Sequence, residues 1–374
     1  MTTSSIEIQN ELKKFISGEI RFDDYSRQMY STDGSIYKID PVGVVIPQNY
    51  EDVIALHEFA FKNKVTLTPR GGGTSLSGQT VNNGIVVDFS KYLNNIIKVS
   101  PEEKFVITQP GISIDNLNRN LKSYGLFFTP DPSTKARANI GGAIGNNSCG
   151  SHSIIYGKTV DQILGLKTVL SNGEQINFSE ISPEYLENKL SLDSFEGKIY
   201  REILDISSNA SQQVKLHFPK ILRRVGGYNL DLIEKRENVN LSKIIVGSEG
   251  TLVSILEAKL NLVKIPKYKI LSVFHFNNIS NAMEATVEIL SESPSAVEHI
   301  GEMIIQQARQ SIGFAKNIDF LKGNPTDIIV VEMSGNNQEE VLSQTKKLER
   351  KITKLGLCEE ITTLEKPQDQ SKVW

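Results

Sequence analysis

"RGGGTSLSGQT", residues 70–80, lies between "VTLTP" and "GIVVDFS", two apolar stretches with strand character. Glycines and hydroxyls in such a run pack no core. Each interior glycine costs roughly 0.5–1 kcal/mol relative to alanine, so their concentration needs a compensating task. A dinucleotide turn of the GxGxxG kind must open a helix. Here Leu76 follows Gly71 and Gly73 where the third glycine belongs, and the next element reads as a strand. A phosphate loop, GxxxxGK[ST], matches residues 73–80 except at Gln79, where a lysine must stand to reach the terminal phosphates. Gly157, Lys158 and Thr159 restore that ending, but His152 takes the place of its leading glycine. The remaining task is shared: two glycine-rich loops wrap one long anionic cofactor through main-chain amides, whose concave nests hold phosphate oxygens without lysine. Plain turns are the structural alternative.

A second such stretch exists at residues 129–158, "TPDPSTKARANIGGAIGNNSCGSHSIIYGK". It has few apolar residues and no sustained period, and a structureless stretch of that length inside a compact domain is usually functional. Around these two stretches the pattern is ordinary. "VGVVIP", "NYEDVIALHEFAFKNK" and "VTLTP" read as strand, helix, strand, with a short leading helix over 5–17. "GIVVDFS", "IIKVS" and "KFVITQPG" read as strands, and "SIDNLNRNLKSYG" as a helix closed at Gly125. "ILGLKTVLSNGEQINF" is a hairpin turning at Asn172 and Gly173. A helix is expected over 197–213, and two strands around a glycine turn in "KIIVGSEGTLVSILEAKLNLVKIP". After Pro266, strands at 270–276, 296–300 and 327–333 alternate with helices at 280–291, 302–312 and 337–354, an α+β pattern with helices on one face of a sheet.

At 374 residues the chain exceeds one ordinary core, so two domains are expected. A formal net charge of −3 with no basic block argues against nucleic acid and anionic membrane surfaces as partners. Two cysteines, Cys149 and Cys358, exclude a disulfide framework. The N-terminus lacks a signal-peptide core, and no run of 18 apolar residues exists for a transmembrane segment. A cytoplasmic protein is the expectation.

Four segments then carry a resemblance: "TPRGGGTSLSGQT", residues 129–174, "RRVGGYNLDLI" and "IVGSEGTLVSILEAKL". In this order they resemble the successive signatures of FAD-linked oxidases of the vanillyl-alcohol oxidase (PCMH) type. Within that group they are most similar to the D-lactate dehydrogenase and glycolate oxidase FAD-subunit family, especially forms fused to an iron–sulfur domain. The resemblance runs from about residue 38 to the end. It implies an α+β protein: a lead over 1–37, a PCMH-type FAD-binding domain of two α/β subdomains over 38–265, and an incomplete, ferredoxin-like α+β cap over 266–374. It further implies that Pro69, Arg70, Gly71, Gly72, Gly73, Thr74 and Ser75 belong to the diphosphate loop. Pro130, Asp131, Gly141, Gly142, Gly145, Asn146, Asn147, Ser148, Gly150, Ser151, His152, Tyr156 and Gly157 would line the rest of FAD. Glu249, Gly250 and Thr251 would approach its flavin or adenine end. Thr74 stands where covalent relatives carry a histidine, so non-covalent FAD is expected.

Oxidation of a small 2-hydroxy acid requires a cation for the carboxylate and a group for the hydroxyl proton. Arg223, Arg224 and Tyr228 are the local candidates, since an arginine fork matches a carboxylate at two points. Surface or flavin-adjacent ion pairs are the equal alternative for the arginines. The five histidines, at 57, 152, 217, 275 and 299, form no closely spaced pair, so no metal is expected. His57 reads as a helix-surface residue and His275 as a strand residue, while His152 lies in the cofactor stretch. Glu298 occupies a cap strand with no role assigned, and Cys149 reads as a small packed residue. By the family's pattern Trp374 ends the cap early, before the substrate arginine and a metal-binding histidine pair. The expectation is therefore a FAD module with a second subunit completing the cap and an iron–sulfur or quinone electron acceptor. A non-catalytic FAD-binding subunit is the alternative.

Overall fold

The computed structural model of the protein describes residues 5–233 and 238–373, so Trp374 lies outside the described residues. The chain divides into two compact units. One comprises the residues up to Gly150 and Gly157–Val263; the other comprises Ser151–Tyr156 and the residues from Lys264 onward.

The first unit is built on a four-stranded and a five-stranded sheet. In one, Gly43–Ile46, Ile85–Asp88 and Leu67–Arg70 are parallel neighbours, with Glu19–Arg21 added antiparallel at the edge. Their buried runs of valine and isoleucine are what a parallel sheet covered on both faces demands. Helix Tyr50–Asn63 connects two of these strands. Its Asn49 cap accepts from Asp52 N at 2.9 Å, and Val53, Leu56 and Ala60 form its buried stripe. The leading residues do not stand apart from this subdomain. Glu19–Arg21 belongs to its sheet, and the Asp52 carboxylate, 1% exposed, accepts from Ser17 N, Gly18 N and Gln48 N at 2.7–2.9 Å.

The other sheet runs Ile96–Ser100, Phe105–Thr108, Ser254–Asn261, Ile163–Val169, Gln175–Ser179, all antiparallel. Ser254, Leu256, Ala258 and Leu260 point into the core from its central strand, as alternation requires. The hairpin at Asn172 and Gly173 forms as read, with Gly173 at φ 89°. Two expectations are corrected. "KIIVG" is no strand: Ser242–Ile245 is one helical turn, because Asn240 Oδ1 accepts from both Ser242 N and Ser242 Oγ and starts a turn that overrides β-branched propensity. Residues 129–158 are not structureless either. Ile140–Gly145 is a helix despite three glycines, because Ile140 N and Gly141 N donate to Ile112 O and Pro110 O and pin its first turn.

The second unit has one antiparallel sheet in the order Ala296–Gly301, Asp327–Gly335, Tyr268–Phe276, Glu360–Leu364. With helices Ile279–Leu290 and Gln338–Leu355, this is the split βαβ arrangement of ferredoxin-like domains. Those two helices cover one face through Ala282, Ala285, Ile289, Val341, Leu348 and Ile352. The expectation of helices on one face alone is corrected: Ile305 of helix Glu302–Gln310 and Phe320 pack on the other, against Val273, Ile328 and Val330. A strand buried on both sides reads as the continuous apolar run "DIIVVEM", which hides the period that would reveal two covered faces.

Candidate functional site: a glycine-lined groove

Helix Ile140–Gly145 is stitched between three segments of the first unit. Its opening amides are consumed by Ile112 O and Pro110 O, while Ile144 O and Gly145 O accept from Gly247 N and Glu249 N, both at 2.9 Å. Gly142 and Gly145, three residues apart, share a face of the helix. A Cβ built on Gly142 would meet nothing within 4 Å, so this face is bare by composition. It fronts a groove with about 640 Å³ of empty space, counting its open mouth. Pro69, Arg70, Gly71, Gly141, Gly142, Gly145, Asn146, Glu249 and Gly250 line it, bringing together residues from three distant stretches of sequence. Pro69 lies against Gly250, whose φ is 76° and where a Cβ would come within 2.9 Å of the proline ring.

Gly72, Gly73, Asp131, Asn147, Ser148, Gly150 and Gly157 lie outside that lining and are held by contacts of their own. A Cβ at Gly72 would collide with Arg137 O, so only glycine permits that approach, and Gly73 takes φ 62°. Gly150 packs on Asp131, next to the buried Pro130. Ser148 O accepts from Thr159 N and Thr159 Oγ1, and Gly157 turns at φ 75° beside Asp161. Asn147, fully buried at φ 47°, accepts from Val160 N through Oδ1 at 3.0 Å.

Whether FAD suits these residues is decided by side-chain atoms that the protein leaves unsatisfied. Thr129 Oγ1, Asn139 Oδ1, Asn147 Nδ2, Thr68 Oγ1 and Gln79 Oε1 are buried without a hydrogen-bond partner. Asn139 donates to Gly111 O, and its free Oδ1 lies beside the backbone of Gly71 and Gly72. Buried polar atoms normally find partners, and these cluster in the glycine-rich stretches, so they fit a ligand carrying both donors and acceptors, as FAD does.

Sequence reading missed part of the lining. Phe89 and Pro110 follow the strands Ile85–Asp88 and Phe105–Thr108, and Ile245, Val253 and Ile255 are apolar residues around the 247–251 turn. No local signal distinguishes them from core. Ser248 and Gln79 sit inside the quoted motifs and were legible as neighbours.

The substrate candidates are spread over different bonds. Arg224 Nη2 donates to both oxygens of Asp231 at 2.6 and 2.7 Å, and the guanidinium lies 4.7 Å from the Phe218 ring centroid. Arg223 donates to Gly150 O at 3.0 Å. Tyr228 OH and Thr251 Oγ1 are 2.9 Å apart.

Within the second unit, His152 Nε2 lies 3.0 Å from Glu332 Oε1, and Lys269 Nζ donates to both oxygens of the same carboxylate at 3.2–3.3 Å. Glu332 is only 2% exposed. Burial pushes its pKa up, but the hydrogen bond from His152 and the charge of Lys269 outweigh that and hold the carboxyl below its usual range. Burial and the same carboxylate push the Tyr156 phenol up. His57 is buried rather than superficial, and His275 is a buried residue of strand Tyr268–Phe276, as read. His57 Nε2 lies 2.8 Å from Ser254 Oγ, and His275 bonds Glu360 O and Lys322 N. His299 pairs with Asp327 at 2.7 Å. Among the described residues no group of three metal-ligating side chains converges, and no helix is long and apolar enough to cross a membrane.

Comparison with known proteins follows the same division. The FAD binding domain matches residues 41–179, and the C-terminal domain of FAD linked oxidases matches 265–374. D-2-hydroxyglutarate dehydrogenase of Pseudomonas putida is 34% identical over 332 residues, covering 87% of this chain and 33% of that protein. Glycolate oxidase subunit GlcD of Bacillus subtilis is 29% identical over 77% of this chain and 52% of its own length. The chain thus spans about a third to a half of these relatives. An alkyldihydroxyacetonephosphate synthase structure superposes with a TM-score of 0.69 at 19% identity, covering 98% of this chain and 62% of the other, which shows a shared fold. With both domains present in order, on a fold of the PCMH type, the chain belongs to the FAD-linked oxidases.

Proposed function

We propose that this chain is the FAD-binding part of a flavin-dependent 2-hydroxyacid dehydrogenase. The observation that carries the reading is the groove bounded by the glycine-rich stretches, with unpartnered polar atoms of Thr129, Asn139 and Asn147 in the same stretches. Gly71 and the bare face at Gly142 would admit the diphosphate and its neighbouring sugar, and the unpartnered atoms would bond the polar edges of the cofactor. Bound FAD supplies the acceptor for the hydrogen leaving the substrate carbon. The chain's residues bind and orient it and exclude water, with Phe89, Val253 and Ile255 as the apolar lining. Thr74 in the loop supports non-covalent attachment.

D-2-Hydroxyglutarate is the first substrate to try, because a relative bears that name; D-lactate and glycolate follow from the motif resemblance. Arg223 and Tyr228 are the proposed carboxylate partners. Electrons would pass on to an iron–sulfur partner or a quinone, and the name of the glycolate oxidase relative, a subunit, supports a second chain. A second reading, a FAD-binding subunit that needs another chain for turnover, is favoured by Arg224, whose Nη2 already donates to both oxygens of Asp231.

Anaerobic addition of the three acids to the flavin-loaded protein tests these readings. Loss of the yellow colour with one acid means the chain oxidises it; loss only with the neighbouring gene's product present selects the second reading. No loss with any acid under either condition removes the dehydrogenase, and a chain that refuses added FAD removes the flavoprotein altogether.

A further inference from the structure

Residues 30–34, "YSTDG", precede the matched FAD binding domain, which begins at 41. They nevertheless hold the glycine loop at its start, its middle and its end. At the start, Arg70 Nη2 donates to Thr32 O at 2.8 Å and Nη1 to Tyr30 O at 3.3 Å, with the guanidinium 5.2 Å from the Tyr30 ring centroid. In the middle, Gly34 N donates to Gly73 O at 2.9 Å. At the end, Thr80 Oγ1 donates to Asp33 Oδ2 at 3.0 Å, and Arg70 Nη1 also reaches Thr80 O at 3.3 Å. Tyr30 is itself fixed by donating to Asp88 Oδ2 at 2.5 Å, in the strand paired with the one that ends at Arg70.

An arginine that clamps a phosphate aims its two parallel N–H bonds at the oxyanion. Arg70 instead spends both terminal nitrogens on three main-chain carbonyls, two from residues 30–34 and one from the far end of its own loop. A nest binds an anion only when successive amides converge, and a glycine triplet has the least intrinsic preference for any one conformation. Something outside the triplet must select it.

We propose that residues 30–34 are a strap that presets the diphosphate loop, and that Arg70 is a positioning residue acting through the loop's amides instead of a phosphate ligand. The inference rests on the FAD reading above. It is tested with Arg70→Met, Arg70→Lys and Thr80→Val by two measurements: hydrogen exchange of residues 71–80 in the apoprotein, and FAD affinity from flavin fluorescence. Arg70→Met should raise exchange across 71–80 before any FAD is added and weaken FAD by about tenfold to a hundredfold, the scale of one hydrogen bond to a charged group. Arg70→Lys should fail nearly as badly, since a point charge cannot bridge three carbonyls. Thr80→Val, which removes only the side-chain bond to Asp33, should weaken FAD about fivefold with a smaller rise in exchange, and it serves if Arg70→Met does not fold. Unchanged loop exchange together with recovery of affinity in Arg70→Lys overturns the strap in favour of a phosphate contact. If the wild-type chain ignores FAD, the flavin reading fails by itself, while the exchange measurement still reports whether the strap orders the loop.

Discussion

The second unit and the glycine-rich stretches of the first treat buried polar groups in opposite ways. In the second unit, Glu332 is bonded to His152 and Lys269, Ser272 donates to Glu349 at 2.7 Å, Ser295 meets Ser334 and His275 is held at both ring nitrogens. In the first unit, the glycine-rich stretches leave hydroxyl, carbonyl and amide groups without partners, and among the described residues all such buried side-chain atoms lie in that unit. The first pattern belongs to a finished core. The second belongs to a surface completed by a ligand, because leaving a buried polar group unpaired costs about 1–3 kcal/mol and is kept only where something recovers it.

Four experiments break or sharpen this contrast. The largest effect is expected from Glu332→Gln, which strips charge from a buried pair and should lower the unfolding free energy by about 3 kcal/mol in urea titrations. In the wild type, the depressed carboxyl pKa means its contribution is present above 4.5 and disappears as pH falls below that value. A variant as stable as wild type at pH 7 would show that the pair is not needed.

Next comes His57, whose pKa burial pushes from 6.5 to about 4. The unfolded chain takes up a proton that the folded chain refuses, so stability should fall as pH drops from 6.5 towards 4, by about 3 kcal/mol in all. His57→Gln should flatten that slope, and an unchanged slope would assign the acid sensitivity elsewhere.

Gly142→Leu should then separate the two regimes. A Cβ at this position meets no atom within 4 Å, and it projects from the helix face that fronts the groove. Apoprotein melting should hold or rise slightly, since leucine favours a helix over glycine by roughly 0.5–1 kcal/mol. FAD affinity should drop about a hundredfold, or about 2.7 kcal/mol. Equal FAD binding by this variant places the cofactor elsewhere.

The smallest effect compares two hydroxyl deletions. Ser272→Ala loses a made hydrogen bond and should cost about 1 kcal/mol, whereas Thr129→Val removes an unpartnered hydroxyl and should raise apoprotein stability by about 1 kcal/mol. Equal losses in both would erase the distinction drawn between the units.

Much of the fold was legible because its determinants are local. The alternation of Ser254–Asn261, the Asn172 and Gly173 turn, and the glycine stop at Gly125 are patterns of adjacent residues. "KIIVG" misled because a single Asn240 side chain outweighed the propensity of the residues after it. His57 looked superficial because a lone histidine on a helix carries no sign that Ser254, 197 residues away, waits to bond it. Of the groove's lining, Gly71, Gly141, Gly142, Gly145 and Asn146 fall in the two stretches singled out by composition; Phe89 and Pro110 do not, since an apolar residue after a strand looks the same whether it meets core or cofactor.

By itself the sequence determined where the backbone must come close to something, because glycine is the only residue whose absence of Cβ is written in the chain. Only the tertiary structure decided what each charged or polar side chain does with its bonds. Arg70 turns to carbonyls from residues 30, 32 and 80, Arg224 to Asp231, and Asn139 and Thr129 keep atoms unpaired. The physical reason is range: glycine's role is a property of one residue's sterics, whereas a hydrogen bond requires a partner whose position is fixed only when distant segments have packed.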